Sequence, residues 1–200
     1  MKRPHLILLR VLFPLFLISS SNIAYASSPD EVVRETTREV LNRLDMDKDR
    51  LAANPDYIKV IVRELIIPRM DFRTMAGLVL GKDWGILSHD VKDCFSKAFR
   101  NLLVERYSHI LLSYHKQNIV YSPAEAIGSK GYYSVTQTLT RPGRKPLTIG
   151  YPMRPDEDGW SVVDLVVDDV SLVRSYRMMF AKQIKEQGLA DFIHSFQECE

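Results

Sequence analysis

The sequence predicts an α+β domain in which helices cover one face of a curved, four-stranded antiparallel sheet. Two observations carry that expectation. Apolar residues recur at helical spacing as far as Tyr114, alternate with a period of two after Asn118, and return to helical spacing after Val170. Helices, then a meander of strands, then helices again is the order of an α+β fold with its helices gathered on one face of the sheet.

The elements follow in chain order. Pro29, Asp30 and Glu31 make an acidic, proline-marked first turn, and Val33, Thr37, Val40, Leu41 and Leu44 give the first helix its apolar stripe. Asp45, Asp47 and Asp49 open like a calcium loop, but Arg50 stands where the turn needs glycine and Asp56 where a bidentate glutamate belongs, so the segment reads as a solvated loop. Asn54 caps a second helix with Pro55 at its first position and Ile58, Ile61, Val62 and Leu65 inward. Pro68 interrupts the chain before a short helix bearing Phe72, Met75, Ala76 and Val79. Ser88 caps the longest helix, whose stripe runs from Val91 through Cys94, Phe95, Phe99, Leu103 and Tyr107 to Tyr114.

Four strands follow, around Ile119 and Tyr121, Tyr133 to Leu139, Leu147 to Met153, and Trp160 to Val167. Gly128 to Gly131, Pro142-Gly143 and Asp158-Gly159 punctuate them as turns. In the last strand, alternation places Ser161, Val163, Leu165 and Val167 on the face to be buried, with Val162, Asp164, Val166 and Asp168 opposite. Val173, Tyr176, Phe180 and Ile184 then line a helix that Gly188 stops.

The N-terminus reads as a secretory signal: Lys2, Arg3 and Arg10 precede the apolar run Val11 to Ile18, and Ala24-Tyr25-Ala26 offers a cleavage site. Residues 1–26 are therefore expected to be removed, leaving 27–200 as a single soluble domain, because the run is too short to span a bilayer and no second one follows. Removal takes away three basic side chains and no acidic ones, so the net charge of +2 becomes −1. That balance, with no arginine-rich stripe, speaks against a nucleic-acid partner. Arg141, Arg144 and Lys145 beside Pro142-Gly143 read as a solvated turn. For Cys94 and Cys199 the reading favours two unpaired thiols, Cys94 on an apolar helix face and Cys199 in a frayed tail, with a bridge pinning the tail as the alternative.

No catalytic constellation emerges. G-x-S-x-G is absent, and His109 and His115 miss the spacing that would converge on zinc, so no catalytic residue, metal ligand or cofactor is assigned. Asp164 reads as a hydrogen-bonded structural acid or a partner of Arg174 or Arg177, because no second acid or base pairs with it.

Two blocks carry a family resemblance. Trp160, Val162, Asp164, Leu165 and Val167 form W-x-V-x-D-L-x-V, followed by Val170, Ser171, Leu172, Val173, Tyr176, Arg177, Phe180, Ile184, Gly188 and Leu189. Upstream stand Asn54-Pro55, Tyr57, Ile61-Val62, Pro68, Asp71, Met75-Ala76, Val79-Leu80-Gly81, Trp84, Phe95, Phe99, Leu102-Leu103 and Tyr107. In their order and spacing these blocks resemble the MlaC family of periplasmic phospholipid-binding proteins, with one departure: Asp168-Asp169 stands where V-[DE]-G-V-S would place a glycine second.

The resemblance implies that sheet and helices enclose an apolar cavity holding the acyl chains of a diacyl phospholipid. Met75, Val79, Leu103, Tyr107, Tyr151, Val163, Leu165, Val167 and Phe180 are the residues it places on that lining. It further implies a monomeric, non-enzymatic periplasmic shuttle that maintains outer-membrane lipid asymmetry. Its partners would be an inner-membrane ABC transporter complex with a lipid-binding ring and an outer-membrane lipoprotein-porin complex. Other readings are a carrier of another apolar lipid such as a hopanoid, a periplasmic hydrolase acting through Asp164, and a non-binding adapter with a filled core.

Overall fold

In the computed structural model, which describes residues 27–113, 118–128, 131–140, 142–143, 145–157, 159–196 and 199, most of the longer helices begin where a polar side chain takes up a first-turn amide. Helix α1 (Pro29–Met46) starts on a reciprocal cap: the Ser28 hydroxyl accepts from the Glu31 amide, and the Glu31 carboxylate accepts from the Ser28 amide. Asp71 caps α4 (Phe72–Leu80), Ser88 caps α5 (His89–Tyr107) and Ser171 caps α6 (Leu172–Gln187), which Gly188 ends in a left-handed conformation. The expected signal segment 1–26, Tyr114 and His115, Arg141, Arg144 and Asp158 lie outside the described residues.

The segment read as a solvated acidic loop is helical instead. A single residue, Asp47, ends α1 and starts α2 (Lys48–Ala53), with its carboxylate on Arg43 one turn back. The acids at 47 and 49 sit at the start of a helix, where they complement its dipole. From Asn54 the chain stays helical but changes pitch, from a 3₁₀ turn at Pro55–Tyr57 through α3 (Ile58–Ile61) to a π turn at Val62–Ile66 and a 3₁₀ turn at Ile67–Arg69. Pro68 accounts for the end of this run, since it has no amide to continue the ladder. A further 3₁₀ segment, Ser108–Ser113, extends α5.

The sheet has seven strands where four were expected: β1 (Asn118–Tyr121), β2 (Glu125–Ile127), β3 (Tyr132–Thr140), β4 (Leu147–Asp156), β5 (Gly159–Val162), β6 (Val166–Val167) and β7 (Val170–Ser171). Two bulges explain most of the difference. β1 and β2 both run antiparallel along one edge of β3, but Tyr121 pairs with Gln137 and Glu125 with Ser134, so the outer strand carries one extra residue around Pro123. β5 and β6 likewise share the far edge of β4, with Val162 opposite Met153 and Val166 opposite Gly150, again one residue in excess.

The second bulge overturns the facing expected for the last strand. The extra residue reverses parity, so Val162 and Val167, which simple alternation puts on opposite faces, both lie opposite inward residues of β4 (Met153 and Ile149). Asp164 holds the bulge: its carboxylate accepts from the Leu165 amide at 2.8 Å, from the Val173 amide at 2.9 Å, and from the Ser171 hydroxyl. This is the structural-acid role, and it ties the bulge to the start of α6. After β6, Asp168 and Asp169 make a two-residue hairpin with φ of 44° and 66°. Two left-handed residues are what such a turn demands, which is why glycine suits the second position. Asp168 earns its place otherwise, since its carboxylate accepts from the Thr148 amide and hydroxyl.

Asp71 joins the helices to the sheet. Its carboxylate caps Thr74 and accepts from Arg154 Nε on β4 at 2.7 Å, while its amide donates to the Val162 carbonyl on β5. Burial would raise its pKa, but the hydroxyl and amide of Thr74 and the Arg154 guanidinium together outweigh that and hold it below the ordinary carboxylate range.

Cys94 and Cys199 form a disulfide with a Cα separation of 5.5 Å, correcting the expectation of two free thiols. The tail is not frayed: α7 (Leu189–His194) and Phe196 pack onto α5 and α6, which carries Cys199 to Cys94.

Three outcomes are expected. Thiol titration of the unreduced, denatured protein should find no free thiol, and Cys199→Ala should cost roughly 2–4 kcal/mol by loss of loop closure; labelling of both cysteines would contradict the bridge. Asp169→Gly should stabilise by about 0.5–1 kcal/mol, read as a higher melting temperature, whereas Asp168→Gly should not, because it forfeits the Thr148 bonds. Because the Asp71 pKa is depressed in the folded state, its contribution is complete above about pH 4 and disappears as pH falls through the folded value. Asp71→Asn should therefore melt lower at neutral pH and show a shallower acid limb than the parent protein.

Candidate functional site

Directly opposed residues of antiparallel strands point to the same face, so the register fixes what looks toward the helices. On β3 these are Tyr133, Val135, Gln137 and Leu139, opposite Met153, Tyr151, Ile149 and Leu147 on β4. Tyr121 of β1 lies opposite Gln137, and Val162 and Val167 extend the same face beyond β4.

β4 is a central strand, paired on both edges, yet Leu147, Ile149 and Tyr151 on its inner face are only half-buried. Around this face the core divides into three clusters, two of which share Met70. One cluster joins α4, α5, α6 and α7 and is filled by the rings of Phe95, Phe99, Tyr176, Phe180, Phe192 and Phe196, with centroids 5.0 to 6.2 Å apart between neighbours. A second joins Val33 of α1 to Val135, Met153 and Val162, with Tyr121, Tyr151 and Leu165 against it. A third joins Leu51, Tyr57, Ile58 and Ile61, with Leu44, Leu65, Leu111 and Leu112 around them. A domain of this size ordinarily has one contiguous core with satellites. Tyr151 shows what the separation does: it keeps accessible surface, yet it is enclosed enough that burial pushes its phenol well above the ordinary range.

A polar network crosses this apolar face. Gln137, only 4% exposed, donates from its amide nitrogen to the Thr37 hydroxyl at 3.3 Å and to the Tyr121 hydroxyl at 3.4 Å, and its carbonyl accepts from the Tyr151 hydroxyl at 2.6 Å. Sequence reading passed over Gln137 because alternation was traced through Val135 and Leu139; its even spacing between them was the available signal. Tyr121 was taken only as an apolar strand position.

The nine residues expected to line a cavity fall into separate settings. Met75, Val79 and Leu103 are buried in the helical cluster with Phe180, and Tyr107 packs on it from α5, its hydroxyl 3.5 Å from that of Tyr176. Tyr151 and Leu165 border the sheet cluster, and Val163 is buried where its amide meets the Pro152 carbonyl. Val167 stands on the sheet edge, 41% exposed. Val79 also borders a groove of about 170 Å³ between α4 and α6, where Arg177 and Lys82 stand at the rim. No group of three or more potential metal ligands occurs among the described residues, and no helix there is long and apolar enough to cross a membrane.

Comparison with known proteins agrees with this architecture. The chain is 21% identical to the intermembrane phospholipid transport system binding protein MlaC of Haemophilus influenzae, over 92% of this chain and 86% of that one. It is 24% identical to the toluene tolerance protein ttg2D of Pseudomonas putida, over 93% and 84% respectively. A solved phospholipid-binding protein from Ralstonia solanacearum, in complex with a phospholipid, superposes with a TM-score of 0.74 at 23% identity, covering 87% of this chain and all of that one, and so shares the fold. Residues 34–198 match the family model described as MlaC protein, and the chain belongs to that family.

Proposed function

We propose that this protein is a phospholipid carrier that holds the acyl chains of a diacyl lipid between the inner face of the sheet and the helices. The observation that carries the reading is the half-buried inner face of the central strand β4, Leu147, Ile149 and Tyr151, which lies between a helical and a sheet cluster that meet through Met70. Apolar surface left accessible there is surface a lipid can cover. Each buried methylene contributes about 0.8 kcal/mol, so two chains are bound tightly once water is excluded.

In this reading Tyr151, Val163, Leu165 and Val167 form the sheet side of the lining, and Met75, Val79, Leu103, Tyr107 and Phe180 form the helical wall behind it. The relatives named above as phospholipid transport and phospholipid-binding proteins support the choice of ligand. The carrier works in the periplasm after residues 1–26 are removed. It passes lipid between an outer-membrane lipoprotein-porin complex and an inner-membrane ABC transporter complex with a lipid-binding ring, and so maintains outer-membrane asymmetry. Its chemistry is binding, and handover comes from a partner that offers a continuous apolar path.

Native mass spectrometry of residues 27–200, purified from periplasm without detergent, should show the added mass of a diacyl phospholipid. Ile149→Trp, which places an indole on the half-buried face, should lose that mass while remaining folded. A parent protein that stays at its bare mass after incubation with phospholipid vesicles would sink the proposal, and an added mass matching a hopanoid would replace the ligand.

A further inference from the structure

The polar network on the inner face leaves one proton unspent. Thr37 uses its hydroxyl proton on the Val33 carbonyl at 2.8 Å, and Tyr151 uses its own on Gln137. Both hydrogens of the Gln137 amide are committed, one to Thr37 and one to Tyr121. The Tyr121 oxygen is therefore an acceptor from Gln137, and none of the described hydrogen bonds takes up the Tyr121 proton. A phenol whose oxygen accepts from Gln137 has its proton available to an acceptor.

A cation stands beside it. The Arg34 guanidinium lies 4.6 Å from the centroid of the Tyr121 ring, and its side chain is 56% exposed, so it sits at the solvent edge of the same face. Its one ion pair, with Asp30, is at 4.0 Å and exposed, a contact that competes weakly for an anion. From the β1 edge inward the order is thus a guanidinium, a phenol proton, the Gln137 amide that holds the phenol oxygen, and the half-buried side chains of Ile149 and Tyr151. A diacyl glycerophospholipid has the complementary order: an anionic phosphodiester, ester carbonyls that accept but cannot donate, then hydrocarbon.

We propose that the α1–β1 edge receives the polar end of the bound lipid, with Arg34 meeting the phosphodiester and the Tyr121 hydroxyl donating to an ester carbonyl. Gln137 acts as a positioning residue that holds the Tyr121 oxygen through its amide. The site rests on the carrier reading and adds to it the orientation of the cargo: head group at the start of α1, chains running under β4.

The test is lipid release. Protein 27–200 is loaded from vesicles of phosphatidylethanolamine and phosphatidylglycerol, and transfer to empty acceptor vesicles is timed for the parent, Tyr121→Phe and Arg34→Gln. Each variant should release lipid roughly 3- to 10-fold faster, the loss of about one hydrogen bond, while the lipid-free protein keeps its circular-dichroism spectrum and cooperative melting. The diagnostic arm uses a dialkyl ether phospholipid, which has the phosphodiester but no carbonyl. With that cargo Tyr121→Phe should release at the parent rate, while Arg34→Gln should still release faster. Variants that release ester lipid at the parent rate from a lipid-loaded parent overturn the site and leave the carrier reading standing. A parent that takes up no lipid overturns both. If inorganic phosphate raises the melting temperature of the parent but not of Arg34→Gln, and the ester and ether cargoes behave alike, the edge is a site for free phosphate and the proposal fails.

Discussion

One carboxylate holds the two layers of this molecule together. Asp71 starts α4, pairs with Arg154 of β4, and through its own amide reaches β5, while the neighbouring Met70 bridges to Val162. Helix initiation, charge neutralisation and strand contact thus converge on a residue that is mostly withdrawn from water. Such a cluster is strong only when complete, because each partner left alone would be a buried, unpaired polar group. Its completeness positions α4 against the sheet by directed bonds at one corner, beside Met70, which packs on both the helical and the sheet clusters.

Elsewhere the layers meet through apolar clusters and one polar network. In the helical cluster the rings pack against one another, and the disulfide closes it from the tail. The sheet meets α1 through Val33 and the Gln137 network, and the third cluster lies under the turns between α2 and the end of α5. Burying apolar area yields roughly 25 cal/mol per Å², so leaving Ile149 and Leu147 half-covered forgoes stability that a filled core would have captured.

Helices α1, α4, α5 and α6 were legible in the sequence because their signals are local, whereas α2 was read as a loop and α7 fell in a tail read as frayed. Ser88, Asp71 and Ser171 each supply an oxygen to an amide two or three residues on, and Pro55, Pro68 and Gly188 act through their own backbones. Bulges are a different matter. The extra residue between Val162 and Val166 is defined only against a partner strand, so a single sequence read by alternation assigned Val162 and Val167 to opposite faces. The pairing of Cys94 with Cys199 was hidden for a similar reason: it requires α7 and Phe196 to dock first, a tertiary event with no local mark. Gln137 was hidden by expectation, since a period-two pattern invites the eye to pass over a polar residue within it. The half-buried state of β4 could not be read at all, because it depends on where neighbouring clusters stop.

The disulfide also sets how load would pass through the molecule. Cys94 and Cys199 enclose the whole sheet together with α6 and α7, leaving α1 to α4 on an open arm outside the ring. Tension applied to the two ends of the chain runs along that arm to the N-terminal end of α5, crosses between the sulfurs, and bypasses every strand. The arm can be drawn out while the ring stays unloaded, so α1, which packs Val33 onto the sheet and carries Thr37 to Gln137, can be peeled away with the strand ladder intact.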